Sequence, residues 1–516
     1  FRGRALCSGA GRCGLCQVRF TRLAPPPLAQ ERERIAPERL EAGWRLACLR
    51  PPVPGSVVHT PLAPERSPRP LPEPCPEPGP GPGSGPGSDS GPGSGPDPGP
   101  GAVLGVDLGT TSVHWRFLHE GTTLGGAFPN PQLGAGSEVM SRLALARHPQ
   151  GAKRLRQGVV QAVRGVVEGL PCAPGQICLA GNTCMTYLAL GLDASGLAAA
   201  PYRVDWPGAE LASLDADLPR VYIPPLPAPF VGGDVTAGLA AVHFGQDTPQ
   251  PPWLLADLGT NGEFALVLPG DRILLASVPM GPALEGVGMT HGMLAGPGAA
   301  VGFALSPAGL VPRLYGGEAR AATGISGTGY ISLAATLLGA GALEPRGTFA
   351  SPVGASPGSA GPGTASPLAA RVLAGLDPGE AGRAPRLTVA PGLALHAEDV
   401  EALLKVKAAF CAAVRVLLDA AGLRFSALRG LLLAGALGEH VAPRDLEALG
   451  FLPPGGAGLV RAVGNSSLDG ACLAAGREDV RRWLARLPER CRLVDVVNAQ
   501  GFQHIYIDAM RFTHAG

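Results

Sequence analysis

The sequence predicts an α/β protein: a small cysteine-bearing module followed by two larger α/β halves with mixed sheets. Three observations carry the prediction. An apolar strand, a D-x-G-T turn and a second strand occur twice, as VLGVDLGTTSVHWRFL at 103–118 and WLLADLGTNGEFALV at 253–267, with Asp107 and Asp257 150 residues apart. A repeat of this kind points to two structurally similar halves. Residues 398–421, EDVEALLKVKAAFCAAVRVLLDAA, place apolar side chains at i, i+3, i+4 and i+7 without internal Gly or Pro, and Gly422 stands where a C-cap belongs. The tract PEPGPGPGSGPGSDSGPGSGPDPGPG at 76–101 divides these halves from the N-terminal stretch.

Composition agrees once that tract is set aside. Gly 76 and Pro 55 make about a quarter of the 516 residues, a level that signals low complexity. The 45% of apolar residues is too high for a disordered chain, so the breakers must be concentrated, as they are at 76–101 and 351–366. The Gly-Pro alternation never settles into a three-residue period, which excludes collagen. Lys+Arg 42 against Asp+Glu 41 leaves a net charge of +1, which argues against a nucleic-acid partner. No apolar run reaches the roughly 18 residues of a membrane span. Lacking a signal peptide and starting at Phe1 inside a motif, the chain reads as a cytoplasmic fragment short of its N-terminus.

Taken in order, the first element is cysteine-rich. Cys7, Cys13 and Cys16 lie in CSGAGRCGLC, a strand-like QVRF follows, and Cys48 closes RLAC. Three ligands in one glycine-rich loop with a fourth some thirty residues on is the spacing of a [2Fe–2S] ferredoxin, with five rather than four residues between the first two cysteines. Gly9, Gly11 and Gly14 let the loop turn tightly and aim amides at cluster sulfurs. A tetrahedral Cys₄ zinc site is the alternative, although Cys48 stands outside any second CxxC. Cys172, Cys178, Cys184, Cys411, Cys472 and Cys491 read as buried small residues, and Cys75 as an incidental exposed thiol. Residues 1–50 hold ten Arg against four Glu, a basic surface suited to an acidic docking face or to the anionic cluster.

From Pro61 to Gly101 the composition favours a semi-extended tether. In each D-x-G-T turn beyond it, an acid, a glycine and hydroxyls suit phosphate binding. Amides of Gly109, Thr110 and Thr111 would contact oxygens while Asp107 holds Mg²⁺. Asp257, Gly259, Thr260 and Asn261 repeat the arrangement; the bland alternative for either acid is a turn-capping Asp.

The paired turns resemble the two phosphate motifs of the acetate and sugar kinase, Hsp70 and actin (ASKHA) superfamily, in which two ribonuclease-H-like domains enclose Mg-ATP. GISGTGY at 324–330, with Gly324, Gly327 and Gly329, and LLLAGALG at 431–438, with Gly435 and Gly438, resemble its further glycine segments, the latter its adenosine loop. Joined to a ferredoxin-type module, the chain resembles the reductive activators of corrinoid proteins over nearly its whole length. Matching pieces are CSGAGRCGLC, GWRLAC, DLGTT, NPQL at 130–133, AGNTCM at 180–185, PFVGGD at 229–234, DLGTNGE, GPALEG at 281–286 and GISGTGY. It departs from the family pattern in Gly435-Ala436-Leu437-Gly438 for G-G-F-G, in Glu138 where Asp is usual, and in lacking the first ferredoxin strands.

The resemblance implies a truncated β-grasp [2Fe–2S] domain at 1–60, a disordered linker at 61–101, a first actin-like half at 102–248, and a second at 252–512 with a disordered insert at about 345–385. It implies ATP-dependent reduction of a corrinoid methyl-transfer protein from Co(II) to Co(I), by one electron from a cluster on Cys7, Cys13, Cys16 and Cys48. Cofactors would be the [2Fe–2S] cluster, ATP and Mg²⁺, the last on Asp107 and Asp257; a low-potential electron donor would be required, and a homodimer is compatible. Asp234 and Glu263 are the candidates to orient attacking water, and Glu285 to line the nucleotide or the partner face. Two rival readings stand: a small-molecule kinase with a fused ferredoxin domain, which would phosphorylate a soluble acceptor, and a non-catalytic electron carrier or redox sensor, which would bind ATP without turnover.

Overall fold

A computed structural model describes residues 17–35, 37–50, 55–59, 101–136, 139–286, 288–307, 309–317, 321–350, 367–379, 384–435 and 441–514. Cys7, Cys13, Cys16, Glu138, Gly438 and most of the 61–101 tract lie outside these. The small module is a sheet of order β2-β1-β3, with β1 Gln17–Arg22, β2 Trp44–Leu46 and β3 Val57–His59, and helices at Ala29–Arg34 and Pro37–Glu41. Ile35, Leu40 and Leu46 form its core.

The chain divides into two compact units, the small module counted with the first. The first holds a six-stranded mixed sheet of order β6-β5-β4-β7-β9-β8, made of β4 Val103–Leu108, β5 Ser112–His119, β6 Thr122–Pro129, β7 Gln176–Gly181, β8 Glu210–Ala212 and β9 Val221–Ile223. The strands β4, β5 and β6 form an antiparallel meander, while β7 runs parallel to β4. Because strand side chains alternate between faces, Leu104, Val106 and Leu108 enter a core with Leu155, Val159 and Val163 of the helix Pro149–Glu168. Gly105 and Asp107 therefore face the other way, where the helix Ser466–Gly476 lies: a Cβ on Gly105 would come 2.5 Å from Cys472 Sγ.

That helix lies far along the chain from the sheet it covers: residues 467–488 pack with the first unit. Small side chains explain it: a Cβ on Gly470 would lie 1.8 Å from the carbonyl oxygen of Ala237, in the helix Gly233–His243, so only glycine admits this approach.

The second unit repeats the plan. Its strands are β10 Trp253–Leu258, β11 Asn261–Leu268, β12 Arg272–Pro279, β13 Ala299–Ser306, β14 Gly309–Leu314, β15 Gly324–Ile325, β16 Leu376–Asp377, β17 Arg386–Ala390, β18 Leu393–His396, β19 Gly430–Ala434, β20 Val460–Ala462 and β21 Cys491–Leu493. The main sheet runs β20-β19-β10-β11-β12-β21, again an antiparallel meander with a parallel strand beside its first member. Two three-stranded sheets, β14-β13-β15 and β16-β17-β18, complete it. The expected insert at 345–385 carries ordered structure: a helix at Pro367–Leu373 buries Ala369, Val372 and Leu373, while 351–366 and 380–383 lie outside the described residues.

The expected long helix spans Ala397–Ala421. Asp399 caps its start, taking the amides of His396 and Thr290, and Gly422 at φ +67° ends it in the left-handed conformation a side chain would resist. Its apolar face buries Leu403, Phe410 and Leu417, with Phe410 5.7 Å from the Phe264 ring. Lys407 is fully buried on the same helix and donates to the carbonyls of Ala509, Arg511 and Thr513 at 3.0, 2.8 and 2.7 Å. Burial pushes its pKa down. The sequence offered no sign of this tie, because a lysine at a helical core position looks like a solvated charge.

Lys407→Met is expected to lower the urea midpoint, at a cost of about 2–4 kcal/mol, since three buried carbonyls lose a charged donor. An unchanged midpoint would show that water replaces the ammonium.

Candidate functional site

The cysteine module is described only in part. Of Cys48 the backbone is described, in the 3₁₀ turn Ala47–Leu49 that follows β2. Gln17, next after Cys16, is the ladder partner of Leu46, so the strand leaving the cysteine loop and the turn bearing Cys48 meet at one end of the sheet. Cys7, Cys13 and Cys16 themselves lie outside the described residues. Glu31 fixes the turn from beneath. It is fully buried, forms an ion pair with Arg50, and accepts from the amides of Leu28 at 2.8 Å and Leu46 at 2.9 Å. Burial pushes its pKa up, but the hydrogen bonds from Arg50, Leu28 and Leu46 outweigh it and hold the carboxyl below its usual range. Among the described residues no group of three or more His, Cys, Asp or Glu is placed to hold a metal ion.

In the first unit, Asp107 lies half-buried at the end of β4, and Gly109, Thr110 and Thr111 form the turn to β5. Ser467 Oγ donates to Asp107 Oδ1 at 2.8 Å. Asp234 sits in the first turn of the helix Gly233–His243. Burial, and then the neighbouring Asp107 carboxylate, push its pKa up to about 7. Two predicted acids are thus brought together. They share their surroundings with a buried amide, Asn182, at the start of the helix Thr183–Leu190; its Oδ1 accepts from Cys184 N, and its Nδ2 has no partner among the described residues. Gly232 permits this crowding, since a Cβ there would lie 2.4 Å from the amide of Thr183.

The second unit gathers the other candidates. Asp257, half-buried at the end of β10, is the ladder partner of Glu263, so both acids project from one face of the sheet. Gly435 follows β19 at φ +79°, and a Cβ there would stand 3.0 Å from Asp257 Oδ1. Thr260 Oγ1 donates to Glu285 Oε2 at 3.0 Å, and the amide of Gly259 donates to the carbonyl of Asn261 at 2.9 Å. GPALEG therefore folds back on the turn of DLGTNGE. The glycines of GISGTGY have a packing reason: a Cβ on Gly327 would lie 1.9 Å from the Leu284 carbonyl, on Gly329 2.1 Å from that of Ala300, and on Gly324 2.6 Å from Met293 Sδ.

Sequence reasoning assigned no role to Ser467, Asn182, Asn130, Arg142 or His114. The last is the ladder partner of Asp107, in the position Glu263 takes beside Asp257. The signals were present as a second small-residue helix start, GNSSLDGA, and in NPQL and AGNTCM. Only the register turns them into neighbours.

Known proteins fit this architecture. Residues 252–516 match the family described as the C-terminal domain of RACo, the ASKHA domain, and residues 102–247 match the RACo middle region. The corrinoid activation enzyme RamQ of Eubacterium limosum is 28% identical over 72% of this chain and 63% of its own length. The Co(II) methylated amine-specific corrinoid protein reductase of Methanosarcina barkeri is 30% identical over 54% of this chain and 46% of its own. The chain therefore spans less than two thirds of either relative's length. A solved structure titled reductive activator for corrinoid, iron-sulfur protein shares the fold, with TM-score 0.67 and 22% identity over 100% of this chain and 94% of that one. Among the described residues no helix is long and apolar enough to cross a membrane.

Two expectations follow. Arg50→Met leaves Glu31 buried without its cation, at a cost of about 3–5 kcal/mol. Limited proteolysis should then cut within 17–59 much faster while the two larger units persist; equal cleavage rates would refute the tie. For Asp234, the raised pKa means that the folded chain holds a proton the unfolded chain, at 3.8, releases more readily. The stability this confers is complete below pH 3.8 and is lost as pH rises through about 7. Asp234→Asn should melt above the parent at pH 8, with the gap closing toward pH 5, in buffer free of divalent cations.

Proposed function

The chain belongs to the RACo family, and on that premise we propose that it reductively activates a corrinoid protein, passing one electron to Co(II) to give Co(I) with the help of ATP. A cluster on Cys7, Cys13, Cys16 and Cys48 would supply that electron, and Mg-ATP the driving free energy. The observation that carries the reading is the matched pair Asp107 and Asp257, which end the equivalent strands β4 and β10 of two sheets with the same meander and parallel neighbour. The family match covers both.

Within that reading the residues divide by chemistry. Asp107 and Asp257 would each offer a carboxylate to Mg²⁺, and the turns 109–111 and 259–261 would offer amides and hydroxyls to phosphate oxygens. Burial and the neighbouring Asp107 carboxylate push the Asp234 pKa up to about 7, which supports a carboxyl that would exchange a proton beside Asp107. Glu263 shares the Asp257 face and is the second candidate to orient water. Glu285 holds the Thr260 hydroxyl and so fixes the second turn. Each 59 mV of one-electron potential is about 1.4 kcal/mol, so ATP coupling reaches a few hundred millivolts. The cluster must be recharged by a low-potential donor, and the basic N-terminal surface suits an acidic docking face on that donor or on the corrinoid protein.

The test is Co(II)-to-Co(I) reduction of a corrinoid protein, followed by its visible spectrum under a low-potential reductant, with and without Mg-ATP. Reduction should require ATP, and Asp107→Ala or Asp257→Ala should slow it by about 100-fold or more. Equal reduction without ATP removes the coupling. Phosphorylation of a soluble acceptor instead would establish the kinase reading.

A further inference from the structure

We propose that Asn130 and Arg142 are the positioning residues of the first phosphate turn, drawing its carbonyls inward so that its amides face an anion. The proposal rests on the nucleotide reading above and adds two residues to it. Three successive carbonyls of the turn are tied back. Asn130 Nδ2 donates to the Gly109 carbonyl at 2.7 Å, Arg142 Nη2 to that of Thr110 at 2.5 Å, and the Asn130 amide to that of Thr111 at 2.9 Å.

A trans peptide is planar, with its carbonyl and the following N–H pointing in opposite directions. Tying the carbonyls of Gly109 and Thr110 toward Asn130 and Arg142 therefore turns the amides of Thr110 and Thr111 away from them. Successive amides on one side of a turn form an anion-binding concavity. Neither anchor is free to rotate. Asn130 is 1% exposed and its Oδ1 accepts from the Gln132 amide at 2.8 Å, which sets the orientation of its amide group. Arg142 is fully buried, its Nε donating to the Gly136 carbonyl at 2.9 Å and its Nη1 lying 3.5 Å from Gln132 Oε1. A buried guanidinium behind the turn also favours negative charge in front of it.

The second turn is held differently. The carbonyl of Thr260 takes the backbone amides of Met280 and Gly281, and its hydroxyl goes to Glu285. The NPQL segment is the sequence feature that supplies half of the clamp on the first turn.

The experiment measures Mg-ATP affinity by calorimetry for the full chain, for Asn130→Ala and for Arg142→Lys, with a thermal midpoint for each. Arg142→Lys keeps the charge and loses the planar fork, so it guards against a folding failure in the other variant. Both variants are expected to bind Mg-ATP about 10- to 100-fold more weakly than the parent, as supporting hydrogen bonds do elsewhere, with midpoints nearly unchanged. Affinities within twofold of the parent overturn the clamp while leaving the nucleotide reading intact. An affinity loss that only tracks a falling midpoint makes the two residues structural and also overturns it. A parent chain that binds no Mg-ATP refutes the nucleotide reading itself, and the positioning role falls with it.

Discussion

Everything at the candidate sites depends on the pleat of two strands. In β4 and β10 each second residue is committed to an apolar core: Leu104, Val106 and Leu108 in one, Leu254, Ala256 and Leu258 in the other. The residues between them must then face the opposite side, and the acids Asp107 and Asp257 occupy the last such positions before the turn. A slip of one residue in either strand would drive a carboxylate into hydrocarbon and three apolar side chains out of it. The geometry of the candidate sites is therefore enforced by the same hydrophobic burial that stabilises the sheets.

The face bearing Asp107 is built to admit close neighbours. Gly105 makes room for the Cys472 thiol, Gly470 for the Ala237 carbonyl, and Gly232 for the amide of Thr183. Those close approaches bring Ser467 to Asp107 and Asp234 into its field. Burial and like charge then act together on Asp234, and keeping a proton is the less costly state of the pair. Small residues thus set electrostatics at one remove, by deciding how near two carboxylates are allowed to come.

Much of this was legible beforehand. The duplicated strand–turn–strand pattern gave both hairpins and both acids, and apolar spacing gave the helix Ala397–Ala421 with its glycine cap. What stayed hidden were contacts made across large gaps in the chain. Ser467 lies far in sequence from Asp107, and no local pattern announces that the helix at 466–476 packs with the first unit. Arg142 and Lys407 were hidden for a related reason. Both are charged residues at core-facing positions of helices, where charge alone suggests solvent, and only the carbonyls they meet explain why they are buried.

Glycine shows where sequence reasoning needs a second criterion. GISGTGY resembles a nucleotide-binding glycine segment, yet the close approaches at Gly327 and Gly329 are made by the chain's own carbonyls. A ligand oxygen and a backbone oxygen impose the same demand on the residue, so the residue alone cannot distinguish them. An acid at the end of a two-sided buried strand is different. It is exposed to a desolvation cost that packing does not relieve, and it persists there only if something polar faces it. Ser467 faces Asp107, and Glu263 shares the face of Asp257. For that reason the carboxylates ending β4 and β10, rather than the glycine motifs around them, are the stronger markers of a candidate site.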